Sequence, residues 1–240
     1  MKISGALIFS VYALTHAAIA VGALLLVPRA PVVATGLFVV EAVTAYDSLI
    51  VVLGKHIGIN RTAERLNRMR FFLHAVCIGL LVPVYTGLGA LAGVPALAAF
   101  AATTAAWVAA AVIAALGYSL QYRRLGHIMP VNSFGCLRYA QSVDDTRRYP
   151  GYDYSEAELA QNAMPPLASI LTVTIGLAIA LWIGLAAGFW LPFIVTALMF
   201  SAASFPDKTW GPLLTSCLEI FFSAGLLYSL WALTFGSSPT

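Results

Sequence analysis

The chain has 240 residues, 60% of them apolar and only 10% charged, against roughly 25% charged in an ordinary soluble domain. A water-soluble fold of this size leaves about a quarter of its chain surface exposed and could not hide so much apolar side chain; a disordered chain needs the opposite composition. The net charge is only +3, with no basic domain for nucleic acid, so the sequence describes an integral membrane protein whose partners are membrane lipids.

Seven apolar runs approach the roughly 20 residues that a helix needs to cross a bilayer core: about 3–27, 32–54, 70–93, 95–117, 165–187, 189–204 and 210–233. The breaks carry Pro28 and Pro31, Gly93 and Pro95, Pro165 and Pro166, Gly188, and Pro206, the residues that interrupt helices. Nothing alternates at period two, which excludes barrel strands. The expected fold is all-α: a polytopic integral membrane protein forming one domain over 1–240, a bundle of seven transmembrane helices. The first run follows Met1-Lys2 and contains Ala18-Ile19-Ala20, features of a signal peptide. It continues to Val27, past any such apolar core, and reads as a retained span.

Charge sets the orientation. With seven spans, Lys2, Lys55, Arg61, Arg65, Arg68, Arg70, Arg123, Arg124, Arg138, Arg147, Arg148 and Lys208 fall on one side and Arg29 alone on the other. Basic loops stay in the cytoplasm. The expectation is therefore a multi-pass protein of the cell membrane with a cytoplasmic N-terminus and an external C-terminus. Adding or removing one central helix would scatter the basic residues over both faces.

Two polar segments lie on the basic side. The first reads as a helix capped by Asn60, with Arg61, Arg65 and Arg68 on one face and Glu64 able to pair with Arg68. Asn60-Arg61-Thr62 matches a glycosylation sequon, but on the side expected to be cytoplasmic. The second is the loop 118–164, rich in tyrosine. Asp144 to Arg148 is self-neutralising, and Ser155-Glu156-Ala157-Glu158 reads as a capping box opening a short helix into the fifth span. A loop this long is often functional; its tyrosines either cap the bundle or anchor it at the interface.

Titratable side chains inside spans are costly and mark functional sites. Five are deep: His16, Glu41, Asp47, His74 and Glu219. At about 1.5 Å per residue, His16 and Glu41 lie about 20 Å from the basic side, Glu219 about 14 Å, Asp47 about 10 Å and His74 about 6 Å. This gives a middle layer of His16 with Glu41 and Glu219, and an inner layer of Asp47 with His74 above Arg70. Each expected pair joins neighbouring antiparallel helices. Thr44 and Ser48 share a face with Glu41, Cys77 and Tyr85 with His74, and Ser216 and Ser223 with Glu219.

Two histidines and three carboxylates are acceptable metal ligands, but no HExxH, HxxxH or ExxH spacing occurs. The cysteines Cys77, Cys136 and Cys217 show no CxxC or metal spacing and read as free thiols. No metal site is expected, and the sequence specifies no cofactor. A retinal protein would need a lysine in mid-membrane, whereas Lys2, Lys55 and Lys208 sit at span ends. Gly89 and Gly93 form a GxxxG pair, read as tight packing inside the bundle.

The remaining chemistry is acid–base. Asp47 beside His74 would make a carboxylate–imidazole general base just inside the headgroup layer. Arg70, Arg68 and Lys55 lie where a lipid phosphate would sit, with His16, Glu41 and Glu219 as a supporting polar layer. This points to an enzyme acting on a lipid or isoprenoid. The alternatives are a proton-coupled small-solute carrier or channel using a Glu/His relay, although the halves show no repeat, and a non-catalytic accessory subunit.

Overall fold

The computed structural model of this protein describes residues 4–202 and 211–236. Lys2 and Lys208, counted above as basic-side charges, lie outside the described residues.

The chain opens with two long antiparallel helices, α1 (Gly5–Leu26) and α2 (Pro31–Ile57), joined by a tight turn after Val27. Pro31 starts α2 at the position where its missing N–H costs nothing. Ala20, Ala23 and Ala34 are buried along these two helices, small enough to bring two backbones close. Helix α3 (Arg61–Cys77) begins where the polar segment was expected to turn helical. Asn60 Oδ1 accepts from the N–H groups of Thr62 at 2.9 Å and Ala63 at 3.0 Å, and Glu64 pairs with Arg68 at 2.9 Å. A 3-10 turn at Ile78–Leu80 separates α3 from α4 (Leu81–Leu91). Pro83 explains the break: it offers no N–H to the carbonyl of Gly79, and its ring crowds that turn. The third span is thus one broken helix, reaching nine residues further toward the basic side than the apolar run alone.

Next come a short turn, α5 (Pro95–Ala98), and α6 (Phe100–Leu116), which continues as a π-helical turn over Gly117–Tyr122. There the Arg123 N–H reaches back five residues to the Tyr118 carbonyl at 2.8 Å. After the loop region come α7 (Glu156–Leu159), α8 (Leu167–Ala187), α9 (Leu191–Ala202) and α10 (Gly211–Phe235). Among the described residues, six helices are long and apolar enough to cross a membrane, and Leu191–Ser201 is a shorter apolar one. This is the expected all-α bundle of about seven helices.

The loop 118–164 holds the main departure. Strands β1 (Met129–Ser133) and β2 (Cys136–Ala140) pair antiparallel, Met129 opposite Ala140 and Ser133 opposite Cys136. The two-residue turn has positive φ at both Phe134 (50°) and Gly135 (85°), the twist that suits a tight hairpin. Asn132 Oδ1 steadies it by accepting the Gly135 N–H at 2.7 Å. The hairpin seats against the ends of α1, α2 and α3. A Cβ at Gly54 would collide with the Leu137 carbonyl, and one at Gly5 with that of Phe134. Cys136 is buried with Phe9, Tyr12 and Val51. The Ser155 capping box is formed as read, but its helix stops at Leu159, short of α8. The expected self-neutralising pairs are also present, Arg147 with Asp144 and Arg148 with Asp145, each at 2.8 Å.

Apolar and polar contents segregate along the bundle. The largest apolar core joins Leu37, Tyr85, Leu88, Ile183, Leu226 and Leu230 toward the end opposite the hairpin. Within it the Tyr85 hydroxyl meets Thr196 Oγ1 at 2.6 Å, and Gly176 leaves room for the ring. A Cβ on Gly89 would strike Leu97, so this glycine packs inside the bundle. At the same end the Arg29 guanidinium stacks over the Phe235 ring at 4.0 Å.

Gly54→Val should push the Leu137 carbonyl away and cost about 1–3 kcal/mol, as overpacking does. Thermal unfolding should fall and protease cutting within 124–164 should rise, while Ala42→Val on an exposed face of α2 changes neither. Unchanged melting and cleavage for Gly54→Val would contradict the seating of the hairpin.

Candidate functional site

The polar residues of α2 divide between two faces. Glu41, Thr44 and Ser48 are buried on one, and Asp47 lies beside them, with its side chain 34% exposed. His16 faces Glu41 from α1 at equal depth because the two helices are antiparallel neighbours. His16 Nδ1 and Glu41 Oε2 are 2.7 Å apart, and the side chains are only 2% and 1% exposed. This expected pair is formed.

The inner layer is arranged differently from the expectation. Among the described residues, Asp47 is paired with Arg70 and His74 with Ser169, and no hydrogen bond or ion pair joins Asp47 to His74. Instead Arg70 Nε donates to Asp47 Oδ1 at 2.9 Å, and Arg70 Nη2 donates to the Tyr139 carbonyl at 2.8 Å. His74 Nε2 lies 2.9 Å from Ser169 Oγ on α8. The physical reason is competition: a charge-assisted bond to a carboxylate is stronger than a neutral one, and the guanidinium is fixed beside Asp47 by the hairpin. Asn67 completes that clamp, its Oδ1 accepting the Tyr139 N–H at 3.4 Å. The imidazole, one turn along α3, is left to meet α8.

The two layers still form one electrostatic cluster. Asp47 interacts with Arg70, Arg138, His74 and His16. Glu219 on α10 interacts with His16, Asp47, Glu41 and Arg138. Arg138 enters on β2, a contribution invisible while residues 118–164 read as a loop. Arg68 and Lys55 do not join Arg70. Arg68 is occupied by Glu64 and by the Gly126 carbonyl at 2.9 Å, and Lys55 is exposed in the last turn of α2.

Three buried polar atoms have no hydrogen-bond partner among the described residues: Arg70 Nη1, Gln121 Oε1 and Thr172 Oγ1. They lie on α3, the π-helical turn and α8, three segments that pack against one another. Such orphans in a native interior call for an occupant, water or ligand. Among the described residues, no three His, Cys, Asp or Glu side chains converge in a way that could hold a metal ion. Cys77, Cys136 and Cys217 are all free thiols.

A concavity of about 140 Å³ lies beside the hairpin, between Asn60, Glu64, His127, Tyr139 and Tyr152. His127 Nε2 pairs with Glu158 Oε1 at its rim, at 3.0 Å. Burial raises the Glu158 carboxyl, but the Ser155 N–H and hydroxyl, the Tyr152 hydroxyl and His127 outweigh it and hold Glu158 below its usual range. Burial and the same carboxylate push the Tyr152 phenol up to about 12.

No family model, curated protein or solved structure matches this chain.

Two outcomes follow. His16→Leu leaves Glu41 buried and unpaired and should cost about 3–5 kcal/mol, while His16→Leu with Glu41→Leu should recover most of it; denaturant titration in detergent measures both, and a double variant no more stable than the single would contradict the pair. Because Glu158 is held low in the folded chain, its stabilising effect is present above the ordinary carboxylate range and lost as pH falls through the folded value. Amide protection over 155–160, taken relative to the intrinsic exchange rate at each pH, should fall on acidification in the native protein. Glu158→Gln should exchange fast at neutral pH and lose most of that dependence.

Proposed function

We propose that this chain is an enzyme of the cell membrane that acts by acid–base chemistry on an anionic lipid or isoprenoid, entered from the cytoplasmic face. The observation that carries the reading is Arg70. Its Nε and Nη2 are committed to Asp47 and Tyr139, while Nη1 is buried and unused. An unsatisfied buried donor on a charged group is expensive, and an anionic oxygen is its strongest partner. Arg138 adds a second positive charge nearby. His74, one turn along the same helix, supplies a proton acceptor. Asp47 acts in this scheme by orienting Arg70 and through its charge on the imidazole.

The orientation follows from the charge split. Reporter fusions at Pro31 and Gly236 should read external and one at Gly58 internal; a cytoplasmic C-terminus would contradict it.

One observation favours a second reading, a proton-coupled carrier. The sealed His16–Glu41 pair lies within electrostatic reach of Glu219, as a relay through the middle of the bundle requires. The two readings separate on Arg70→Lys, which keeps the charge beside Asp47 but loses the planar fork. Purified full-length chain in nanodiscs should bind phosphatidylglycerol in preference to phosphatidylcholine, and Arg70→Lys should weaken that preference roughly tenfold, the worth of one charge-assisted bond. If Arg70→Lys leaves lipid binding unchanged while Glu41→Gln and Glu219→Gln abolish proton flux into proteoliposomes, the carrier reading stands in its place.

A further inference from the structure

Hydroxyl groups on these helices mostly turn back on their own backbone. Ser119, Ser201 and Ser229, with Thr44, Thr86 and Thr196, each bond the carbonyl four residues earlier. This is the ordinary way to satisfy a hydroxyl in an apolar helix. Ser169 does otherwise. Its Oγ meets His74 Nε2 at 2.9 Å, across from α8 to α3. Thr172, one turn further along α8, is fully buried and also makes no such bond. A serine hydroxyl within hydrogen-bond reach of an imidazole is the arrangement that activates an oxygen nucleophile.

The surroundings complete the requirements of acyl transfer. Ser169 is in the first turn of a 21-residue helix. The N–H groups of Ala168 and Ser169 have no acceptor among the described residues, whereas those of Leu167 and Ile170 bond the carbonyls of Pro165 and Pro166. Free N–H groups beside a nucleophile can hold a developing oxyanion. Asp47 lies within electrostatic reach of His74. Arg70, with its unused Nη1, is one turn of α3 nearer the hairpin. In a phospholipid the acyl esters lie a few atoms deeper than the phosphate, so a phosphate on Arg70 brings an ester carbonyl toward Ser169.

We infer that Ser169 is a nucleophile activated by His74 and that it cleaves a carboxylic ester of an anionic lipid; this inference rests on the lipid reading given above. Ser169 Oγ bonds the ester carbonyl carbon while its proton passes to His74 Nε2. The tetrahedral intermediate collapses, the bond from carbonyl carbon to the glycerol oxygen breaks, and His74 returns the proton to that oxygen. The lysolipid leaves, and Ser169 holds the acyl group. Water then attacks the acyl carbon, giving its proton to His74, and the fatty acid departs as Ser169 Oγ regains the proton. No oxidant, reductant or metal enters the balance.

The test treats the full chain in detergent with a fluorophosphonate probe, which phosphonylates activated serines, and locates the adduct by peptide mass spectrometry. One adduct is expected, on Ser169. Ser169→Ala should abolish it, His74→Gln should slow it at least tenfold, and Ser119→Ala should not change it. Phosphatidylglycerol should slow labelling, and reconstituted protein should release fatty acid from phosphatidylglycerol vesicles. Absence of an adduct on Ser169, or full labelling of His74→Gln, overturns the nucleophile even where Arg70-dependent lipid binding persists. Labelling of Ser169 that phosphatidylglycerol does not slow, without fatty-acid release, overturns the anionic-lipid ester as substrate while leaving the activated serine in place.

Discussion

The hairpin end of the bundle depends on one guanidinium. Arg70 is buried on α3, bonds Asp47 on α2 and accepts no alternative there, because its second bond runs to the Tyr139 carbonyl of β2. A buried cation is tolerated only when paired and hydrogen-bonded. Meeting that constraint ties two spans to the hairpin in one step. The rest follows in order. Asn67 can grip the Tyr139 N–H because α3 already lies along β2. Gly54 must be bare because the Leu137 carbonyl is pressed against α2. His74, with Asp47 taken, turns to Ser169 on α8. The remaining guanidinium nitrogen, Nη1, is left over by the same geometry.

The far end of the bundle obeys a different rule. Lipid tails are as apolar as Leu, so helices there gain little from burial alone and rely on close packing and a few polar contacts. Ala20, Ala23 and Ala34 supply the small surfaces, and Tyr85 with Thr196 supplies a hydrogen bond between α4 and α9. The polar cluster sits where the hairpin seals the helices. Packing thus carries the far end and electrostatics the hairpin end. This division makes a site at the hairpin end possible without loosening the whole bundle.

The spans were legible because a bilayer demands long apolar runs and Pro and Gly end them. The His16–Glu41 pair was legible because antiparallel neighbours joined by a tight turn must match in depth. The partner of Asp47 was not. Depth alone placed His74 near it, but the choice between imidazole and guanidinium depends on a carbonyl of Tyr139, 69 residues from Arg70 in sequence. The hairpin itself was hidden by Pro130 in β1, a residue that argues against a strand, and by a Phe134-Gly135 turn in place of the common Asn-Gly. Arg138 was hidden with it. Ser169 carried no signal at all, since serines are ordinary in membrane helices; only its partner distinguishes it from Ser119 or Ser201.

The central claim is that Arg70 Nη1 awaits an anionic oxygen. It is tested most directly by an experimental structure of the full chain in phosphatidylglycerol nanodiscs, at a resolution that separates lipid phosphate from water. The account predicts a phosphate oxygen within hydrogen-bond distance of Nη1, with the acyl ester of the same lipid directed toward His74 and Ser169. Density showing Nη1 capped by a protein carbonyl or an enclosed water, with every lipid phosphate outside the hairpin, would contradict it.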